Sequence, residues 1–294
     1  MTYLVLILIQ AIFGINFVTS KYVLYEMDTW VFVFLRFFIS GTLLALIVMA
    51  WRRIGPSQLL MSWNQMKWAL ALGTLGFALA QTLMMQGLQL TTATNTAIIS
   101  TSIPLLSYIV AILRGKRGID IVTLSGFILA VAGVLILQDI EKLDVAEENL
   151  LGDALVLMGC FLIACFISYS KDFFSNAPML QGNVWLFLFG ALFLSPFLLL
   201  SGEQEWVIPL ADDPWFQISI AFSILGATLA SYFLGAWALR RVTSEYMALY
   251  SVLQPMVAGL FGYLWLGENL TWSMAISAVL IFSGILIVSL KEMR

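Results

Sequence analysis

The sequence predicts an all-α membrane protein with ten transmembrane helices in two inverted five-helix repeats and both termini in the cytoplasm. Three observations predict this fold class. Ten apolar segments fill almost the whole chain, the second five repeat the first five, and basic residues lie almost entirely on one side. Apolar residues make up 61% of the 294 residues and charged residues 11%, against about 45–50% and about 25% in soluble domains.

Each apolar segment is long enough to cross a bilayer as a helix. A hydrocarbon core about 30 Å thick needs roughly 20 residues at about 1.5 Å rise each. Transmembrane β-strands need only about 10 residues and alternate in character. The predicted spans lie near residues 3–23, 29–51, 67–90, 95–113, 119–138, 150–170, 182–201, 214–238, 246–266 and 271–290.

The basic residues predict the orientation of these spans. If both termini are cytoplasmic, eleven of the 14 Lys and Arg side chains lie on the inner side, and only Lys21 and Lys142 lie outside, with Arg36 inside the second span. Such a bias in short loops is a positive-inside signal. The inner basic residues are Arg52, Arg53, Lys67, Arg114, Lys116, Arg117, Lys171, Arg240, Arg241, Lys291 and Arg294.

The repeat is visible residue by residue. Residues 88–133 align with 239–284 at a shift of 151 without a gap, and Ser20-Lys21 corresponds to Ser170-Lys171 at a shift of 150. The matched pairs in the first alignment include Leu88 with Leu239, Thr92 with Thr243, Ala97 with Ala248, Ser100 with Ser251, Pro104 with Pro255, and Gly133 with Gly284.

This alignment predicts three parts: a first repeat over 1–138, an acidic extracytoplasmic linker over 139–149, and a second repeat over 150–294. Because each half has an odd number of spans, the second half enters the membrane in the opposite sense. Inverted repeats recur in secondary transporters, whose substrate site lies near the midplane where the halves meet. The alternative is a duplication that only built a stable helical bundle.

Three short motifs resemble one known family. They are Phe13-Gly14-Ile15-Asn16-Phe17 followed by Ser20-Lys21, the Leu35-Arg36-Phe37 of the second span, and the Leu266-Gly267-Glu268-Asn269-Leu270-Thr271 turn. Together they resemble the EamA branch of the drug/metabolite transporter superfamily, and the likeness covers essentially the whole chain. The resemblance implies two five-helix units, and relatives export amino acids, other metabolites or drugs.

The sequence departs from this pattern at one corner. The first half has Arg114-Gly115-Lys116-Arg117 where the second has Trp265-Leu266-Gly267-Glu268. We interpret the basic replacement as enforcing topology, since this corner faces the cytoplasm in the first half and the outside in the second.

Arg36 is the charge that lies deepest in a predicted span, about seven residues or roughly 10 Å from its outer end. A charge at the centre of a bilayer costs at least about 2.5–3.5 kcal/mol. A guanidinium there can bind a substrate carboxylate through two parallel hydrogen bonds. Alternatively, Arg36 extends to the interface or pairs with Glu26 or Asp28. Lys21 lies nearer the outer end, where extension to the interface is favoured.

Pro104 and Pro255 each fall about nine residues into their spans, so the sequence predicts a helix kink near the midplane at both positions. Each kink would free the carbonyl group four residues earlier, at Ser100 and Ser251. The freed groups are tolerated where protein or a water-filled cavity satisfies them.

The predicted cavity residues share a polar side chain within an apolar segment. Any of them can also serve only as a hydrogen-bonded contact between helices. They are Asn16, Lys21, Arg36, Gln81, Gln86, Asn95, Ser100, Thr101, Tyr232, Tyr250, Ser251 and Gln254.

Several classes of function have no support in the sequence. The chain has no histidine, no GxxxxGK[ST] motif for nucleotide phosphates, no metal-ligand cluster and no nucleophile paired with a histidine base. The sequence thus predicts a protein that is not an enzyme, with no cofactor, no metal and no nucleic-acid partner. A small-molecule substrate and membrane lipids are its expected partners, and the chain is expected to be a monomer or weak dimer.

The sequence therefore predicts a multi-pass inner-membrane secondary transporter that exports small metabolites, with amino acids favoured, by alternating access through a central cavity. One alternative is an exporter of uncharged or weakly polar drug-like compounds, which would not depend on Arg36. An alternative of another class is a nontransporting membrane scaffold or lipid-handling protein.

Overall fold

The computed structural model describes residues 2–91, 96, 99–137, 149–199, 213–254, 256–257 and 272–292, and all regular structure within them is helical. Among the described residues, six helices are long and apolar enough to cross a membrane, and shorter apolar helices occur at Ile103–Leu113, Ile121–Ile136 and Ile276–Val288. The predicted all-helical membrane class is confirmed. The count of ten spans and the position of the termini stay predictions.

We number the helices in chain order. They are α1 (Thr2–Glu26), α2 (Thr29–Arg52), α3 (Trp63–Leu90), α4 (Ile103–Leu113), α5 (Ile121–Leu137), α6 (Leu150–Asn176), α7 (Met179–Leu194), α8 (Pro214–Leu239), α9 (Ser244–Leu249) and α10 (Trp272–Glu292). Short 3₁₀ turns lie at Pro56–Leu59, Ser195–Leu199 and Tyr250–Val252.

Side-chain caps fix where several helices begin. Asp28 accepts hydrogen bonds from the backbone of Trp30 at 2.8 Å and Val31 at 3.3 Å, so α2 begins at Thr29. Ser62 and Gln65 form a reciprocal capping box at the start of α3. These caps satisfy the first N–H groups of each helix, which have no partner within the helix.

Two long helices contain a π-helical segment in the middle. The segment in α3 is Leu72–Leu79, and the segment in α8 is Phe222–Ala230. Leu72 and Phe222 are 150 residues apart, which is the shift of the Ser20 and Ser170 pair. A π-helix bonds residue i to residue i+5, and such segments occur frequently at functional sites.

The chain forms two compact units, and each takes residues from both sequence halves. The first unit comprises residues 1–15, 83–168 and 242–294, and the second comprises 16–82 and 169–241. The predicted repeat boundaries are a different division of the chain and stay a prediction.

In the first unit, α5 packs closely against α10. A Cβ atom added to Gly126 would lie 2.9 Å from the carbonyl oxygen of Gly284, and one added to Gly284 would lie 2.5 Å from that of Gly126. Glycine at both positions therefore allows the two backbones to touch. The short α9 packs against α4 in the same unit.

In the second unit, α2 contacts α7 and the π-helical segment of α8, and α7 contacts the π-helical segment of α3. The core of this unit contains the buried aromatic rings of Phe37, Phe77 and Phe187. The centroids of Phe37 and Phe77 are 4.3 Å apart. These contacts position the polar side chains described next.

Candidate functional site

Arg36 lies on α2 in the second unit and is only 3% exposed. Its Nε donates a hydrogen bond to Thr228 Oγ1 at 3.1 Å, and its guanidinium carbon lies 5.3 Å from the centre of the Phe32 ring. Within the described residues, its two terminal nitrogens have no hydrogen bond and no carboxylate partner. Asp28 caps α2, and no hydrogen bond or ion pair between Asp28 and Arg36 occurs among the described residues.

Thr228 belongs to the π-helical segment of α8 and is fully buried. Its hydroxyl donates to the carbonyl oxygen of Ser223, five residues earlier, at 2.7 Å and accepts from Arg36. By contrast, Thr82 on α3 donates to the carbonyl oxygen of Ala78, four residues earlier, at 2.9 Å. In the π-helical segment, the Thr228 hydroxyl thus bonds the carbonyl oxygen five residues earlier, which is the residue spacing of a π-helical turn.

Two further hydrogen bonds join the same segment to the first sequence half. Ser40 Oγ donates to the carbonyl oxygen of Ile224 at 3.1 Å, and Ser223 Oγ donates to Asn16 Oδ1 at 2.8 Å. All of these side chains are buried. We call the contact of Arg36 and Ser40 with Ser223 and Thr228 the polar crossing.

The corresponding contact of α7 with the π-helical segment of α3 is made of small and apolar residues. At a shift of 150, Leu186, Gly190, Gly73 and Ala78 stand in the places of Arg36, Ser40, Ser223 and Thr228. A Cβ added to Gly73 would lie 2.5 Å from the carbonyl oxygen of Leu186, and one added to Gly190 would lie 3.5 Å from Ala78 Cβ. We call this contact the apolar crossing.

Tyr232 and Gln81 extend the polar crossing. Gln81 forms a side-chain hydrogen bond with Tyr232, and Tyr232 lies within electrostatic range of Arg36. The Tyr232 ring meets Phe77 edge-on with centroids 4.3 Å apart and lies 5.9 Å from Phe187. The second unit therefore brings together four predicted site residues, namely Asn16, Arg36, Gln81 and Tyr232.

The other described site residues belong to the first unit. Gln254 Nε2 donates to Gln10 Oε1 at 2.7 Å, the Tyr250 hydroxyl lies 3.2 Å from that of Tyr246, and Ser100 Oγ donates to the Thr96 carbonyl oxygen at 2.7 Å. Thr101 is buried, and Gln86 and Ser251 are partly buried. Asn95, Pro255 and the Lys21 side chain lie outside the described residues.

Pro104 lies in the first turn of α4, which begins at Ile103. Residues 99–100 are also helical, and a turn at residues 101–102 separates them from α4. The helix kink at Pro104 stays a prediction.

A second polar cluster in the first unit was not predicted. Arg117 Nη1 lies 2.6 Å from Glu245 Oε1, and Glu245 is 4% exposed. Nearby, Lys291 Nζ lies 3.0 Å from Asp120 Oδ1, and the backbone N–H of Thr123 donates to Asp120 Oδ2. The Thr123 hydroxyl bond and the Lys291 charge lower the pKa of Asp120 to about 2. The predicted ninth span begins near residue 246, so Glu245 lies at its edge, where the sequence gives no sign of burial.

The two clusters differ chemically. Arg117 already has a carboxylate, so that cluster is a satisfied ion pair between residues of both sequence halves. Arg36 offers an anion a fixed positive charge and two terminal nitrogens that have no hydrogen-bond partner among the described residues. Nothing in the described polar crossing is arranged as an acid or a nucleophile. Within the described residues, no group of three metal-ligating side chains occurs.

The comparisons with known proteins extend over nearly the whole chain. The EamA-like transporter family profile matches residues 1–138 and 150–290. An uncharacterized transporter of Archaeoglobus fulgidus is 24% identical over 99% of this chain and 98% of its own. A probable amino-acid metabolite efflux pump of Escherichia coli is 28% identical over 60% of this chain and 58% of its own.

A solved crystal structure shares the fold. It has a TM-score of 0.81 and covers 100% of this chain and 96% of its own at 14% sequence identity. The family match includes both segments that meet in the polar crossing, and six helices of the structure are long enough to cross a bilayer. The chain therefore belongs to the EamA-like transporter family and is a multi-pass membrane protein.

Proposed function

We propose that this transporter resides in the inner membrane and exports amino acids by alternating access through a cavity between its two sequence halves. The observation that carries the proposal is Arg36, a buried cation with two unpaired terminal nitrogens among the described residues. The relative from Escherichia coli named a probable amino-acid metabolite efflux pump supports the same substrate class.

The energetic argument starts from the charge. An ionisable residue within a membrane protein is costly unless it is paired, and it marks a substrate pathway by default. A carboxylate would supply the missing partner through two parallel, charge-assisted hydrogen bonds. Every amino acid carries that group, whereas side chains vary, so Arg36 would recognise the part that substrates share.

The surroundings of Arg36 support a mixed polar and apolar substrate. Asn16 and Tyr232 lie in the same hydrogen-bonded region, and Phe77 packs against Tyr232. Amino acids with apolar side chains present both kinds of surface. The same rings also favour the second candidate, an exporter of uncharged or weakly polar drug-like compounds, for which Arg36 would have only a structural role.

Alternating access requires the two sequence halves to change their contacts. Three of the hydrogen bonds at the polar crossing, Arg36 to Thr228, Ser40 to Ile224 and Ser223 to Asn16, join a residue of the first half to one of the second. We propose that these bonds rearrange during transport, with the π-helical segment of α8 allowing the change.

Counterflow in proteoliposomes tests the proposed function. Vesicles loaded with leucine, methionine or phenylalanine should accumulate the same labelled amino acid, and the corresponding amides should be poor substrates. Arg36→Lys keeps the charge but loses the planar fork, so transport should fall partly, and Arg36→Ala should lower apparent affinity roughly ten- to a hundredfold.

Three outcomes would contradict this proposal. Equal losses for acids and amides would favour the drug-like alternative. Flux of apolar compounds that is independent of Arg36 would do the same. The absence of flux with any compound of a broad metabolite panel would favour a scaffold or lipid-handling role.

The proposed topology has its own test. Single cysteines at Ser57 and Ala146 of a variant lacking Cys160 and Cys165 should be labelled from opposite sides of the membrane, with position 146 reached from outside. Labelling of both positions from one side would contradict both the predicted inverted repeat and the predicted orientation in the membrane.

A further inference from the structure

The geometry points to Thr228 as a positioning residue that fixes which edge of the Arg36 guanidinium meets the substrate carboxylate. This inference rests on the proposed function and adds a mode of binding to it. Thr228 would not touch the substrate; it would act through Arg36.

A guanidinium offers a carboxylate two edges in its plane. One edge combines Nε with a terminal nitrogen, and the other combines the two terminal nitrogens. Nε of Arg36 already donates to Thr228 Oγ1 at 3.1 Å. The side edge is therefore occupied, and the end edge keeps both of its donors with respect to the part of the chain that the structure describes.

Thr228 cannot readily turn away from this bond. Its own hydroxyl proton is committed to the carbonyl oxygen of Ser223 at 2.7 Å, which leaves a lone pair directed at Arg36 Nε. Ser223 is five residues before Thr228, so the π-helical segment of α8 supplies this carbonyl. The hydroxyl is an acceptor of defined direction because its donor role is already used.

The faces of the guanidinium are restricted as well. The Phe32 ring lies 5.3 Å from the guanidinium carbon on one side, a distance at which a cation and an aromatic face attract. A planar carboxylate is thus expected to bind end-on, in the plane of the guanidinium, through its two terminal nitrogens. Thr228 would thereby restrict the substrate class to carboxylates that can approach the tip of the Arg36 side chain.

The test measures apparent affinities in proteoliposomes that contain Thr228→Val, Thr228→Ser or the parent protein. The substrates are leucine, methionine and phenylalanine, each compared with the corresponding amide. Valine has the shape of threonine without the hydroxyl. Thr228→Val should lower the apparent affinity for the acids roughly tenfold and that for the amides only slightly. Thr228→Ser should keep most of the parent's preference for acids over amides. Thr82→Val is the matched control, since Thr82 is a buried threonine that bonds only its own helix; it should leave the preference unchanged.

A double-mutant cycle separates positioning from packing. Lysine lacks the planar guanidinium and therefore the Nε–H group that Thr228 accepts from. In the Arg36→Lys background, Thr228→Val should therefore leave the ratio of acid affinity to amide affinity almost unchanged. A ratio that changes as much in the Arg36→Lys background as in the parent would overturn the positioning role. Failure of Thr228→Ser to restore the preference would overturn it too.

The parent result distinguishes this inference from the proposed function. If the parent does not prefer acids over amides, the proposed function fails and the inference fails with it. If the parent prefers acids and Thr228→Val keeps the full preference with unchanged affinity, only the inference fails. Loss of folded protein in Thr228→Val is detected by size-exclusion chromatography. Thr228→Ala, which also lacks the hydroxyl, then replaces it in the test and should lower the preference for acids, whereas an unchanged preference would overturn the inference.

Discussion

The polar crossing and the apolar crossing are the same type of helix contact built from different residues. In both, an α-helix of one sequence half lies against a π-helical segment of the other. Arg36 and Thr228 form a hydrogen bond in one, while Leu186 lies against Gly73 in the other. The π-helical segments thus occur in both sequence halves, whereas the buried charge occurs at only one of the two crossings.

The largest expected effect comes from converting the polar crossing into a copy of the apolar one. The double variant Arg36→Leu with Thr228→Ala gives this contact the leucine and the alanine that the apolar crossing has at Leu186 and Ala78. Replacing both partners of a buried polar pair by apolar groups can be nearly neutral for stability. Transport of acids should nevertheless fall roughly ten- to a hundredfold in apparent affinity.

The measurement pairs counterflow with thermal unfolding in detergent. Leu186→Met is the control at the apolar crossing, because a volume-conserving change there should cost less than about 1.5 kcal/mol and leave transport intact. If the double variant transports acids as well as the parent does, the polar crossing is not the substrate site and the comparison loses its functional meaning.

The sequence predicted the helical class and the one charge that matters at this contact. Length and hydropathy were sufficient for the six long helices, and Arg36 stood out because a charge deep in an apolar segment is costly. Asn16, Gln81 and Tyr232 were also predicted as site residues, and the structure places them in the second unit with Arg36.

The partners of Arg36 were not predictable in the same way. Serine and threonine in a helix usually bond their own backbone, so Ser40, Ser223 and Thr228 carry no distinct signal. Their hydrogen bonds involve the π-helical segment of α8, which the pattern of apolar residues does not distinguish from an ordinary α-helix. Pro104 was predicted to kink a helix; a turn at residues 101–102 precedes α4, and the kink itself stays a prediction.

A smaller effect is expected on stability at the apolar crossing. In Gly73→Ala, the new methyl group would lie 2.5 Å from the backbone oxygen of Leu186, and backbone cannot move aside as a flexible side chain does. Overpacking of this kind costs about 1–3 kcal/mol. Ser223→Ala at the counterpart position removes one hydrogen bond to Asn16, which contributes only about 1 kcal/mol.

Thermal unfolding of the two single variants checks this order. The unfolding temperature should be sensitive to added side-chain volume at the apolar crossing. At the polar crossing it should be sensitive to the loss of hydrogen bonds. A Gly73→Ala protein that unfolds at the temperature of the parent would show that this contact opens easily, and the two crossings would then differ in rigidity as well as in polarity.

The smallest effect concerns acid pH and separates the polar crossing from the cluster at Asp120. The described polar crossing contains no carboxylate, so acid titration should not reach it directly. Asp120 has a pKa of about 2, lowered chiefly by the Thr123 hydroxyl bond and also by Lys291. Because this pKa is below the ordinary value of 3.8, the ionised carboxylate stabilises the folded state above pH 3.8, and this contribution is lost as pH falls towards 2.

Asp120→Asn should therefore lower the unfolding temperature slightly at neutral pH and remove part of the decline of that temperature between pH 4 and pH 2. The double variant of Arg36 and Thr228 should keep the decline of the parent. A decline that disappears in the double variant but persists in Asp120→Asn would place the acid-sensitive group at the polar crossing and contradict this division between the two regions.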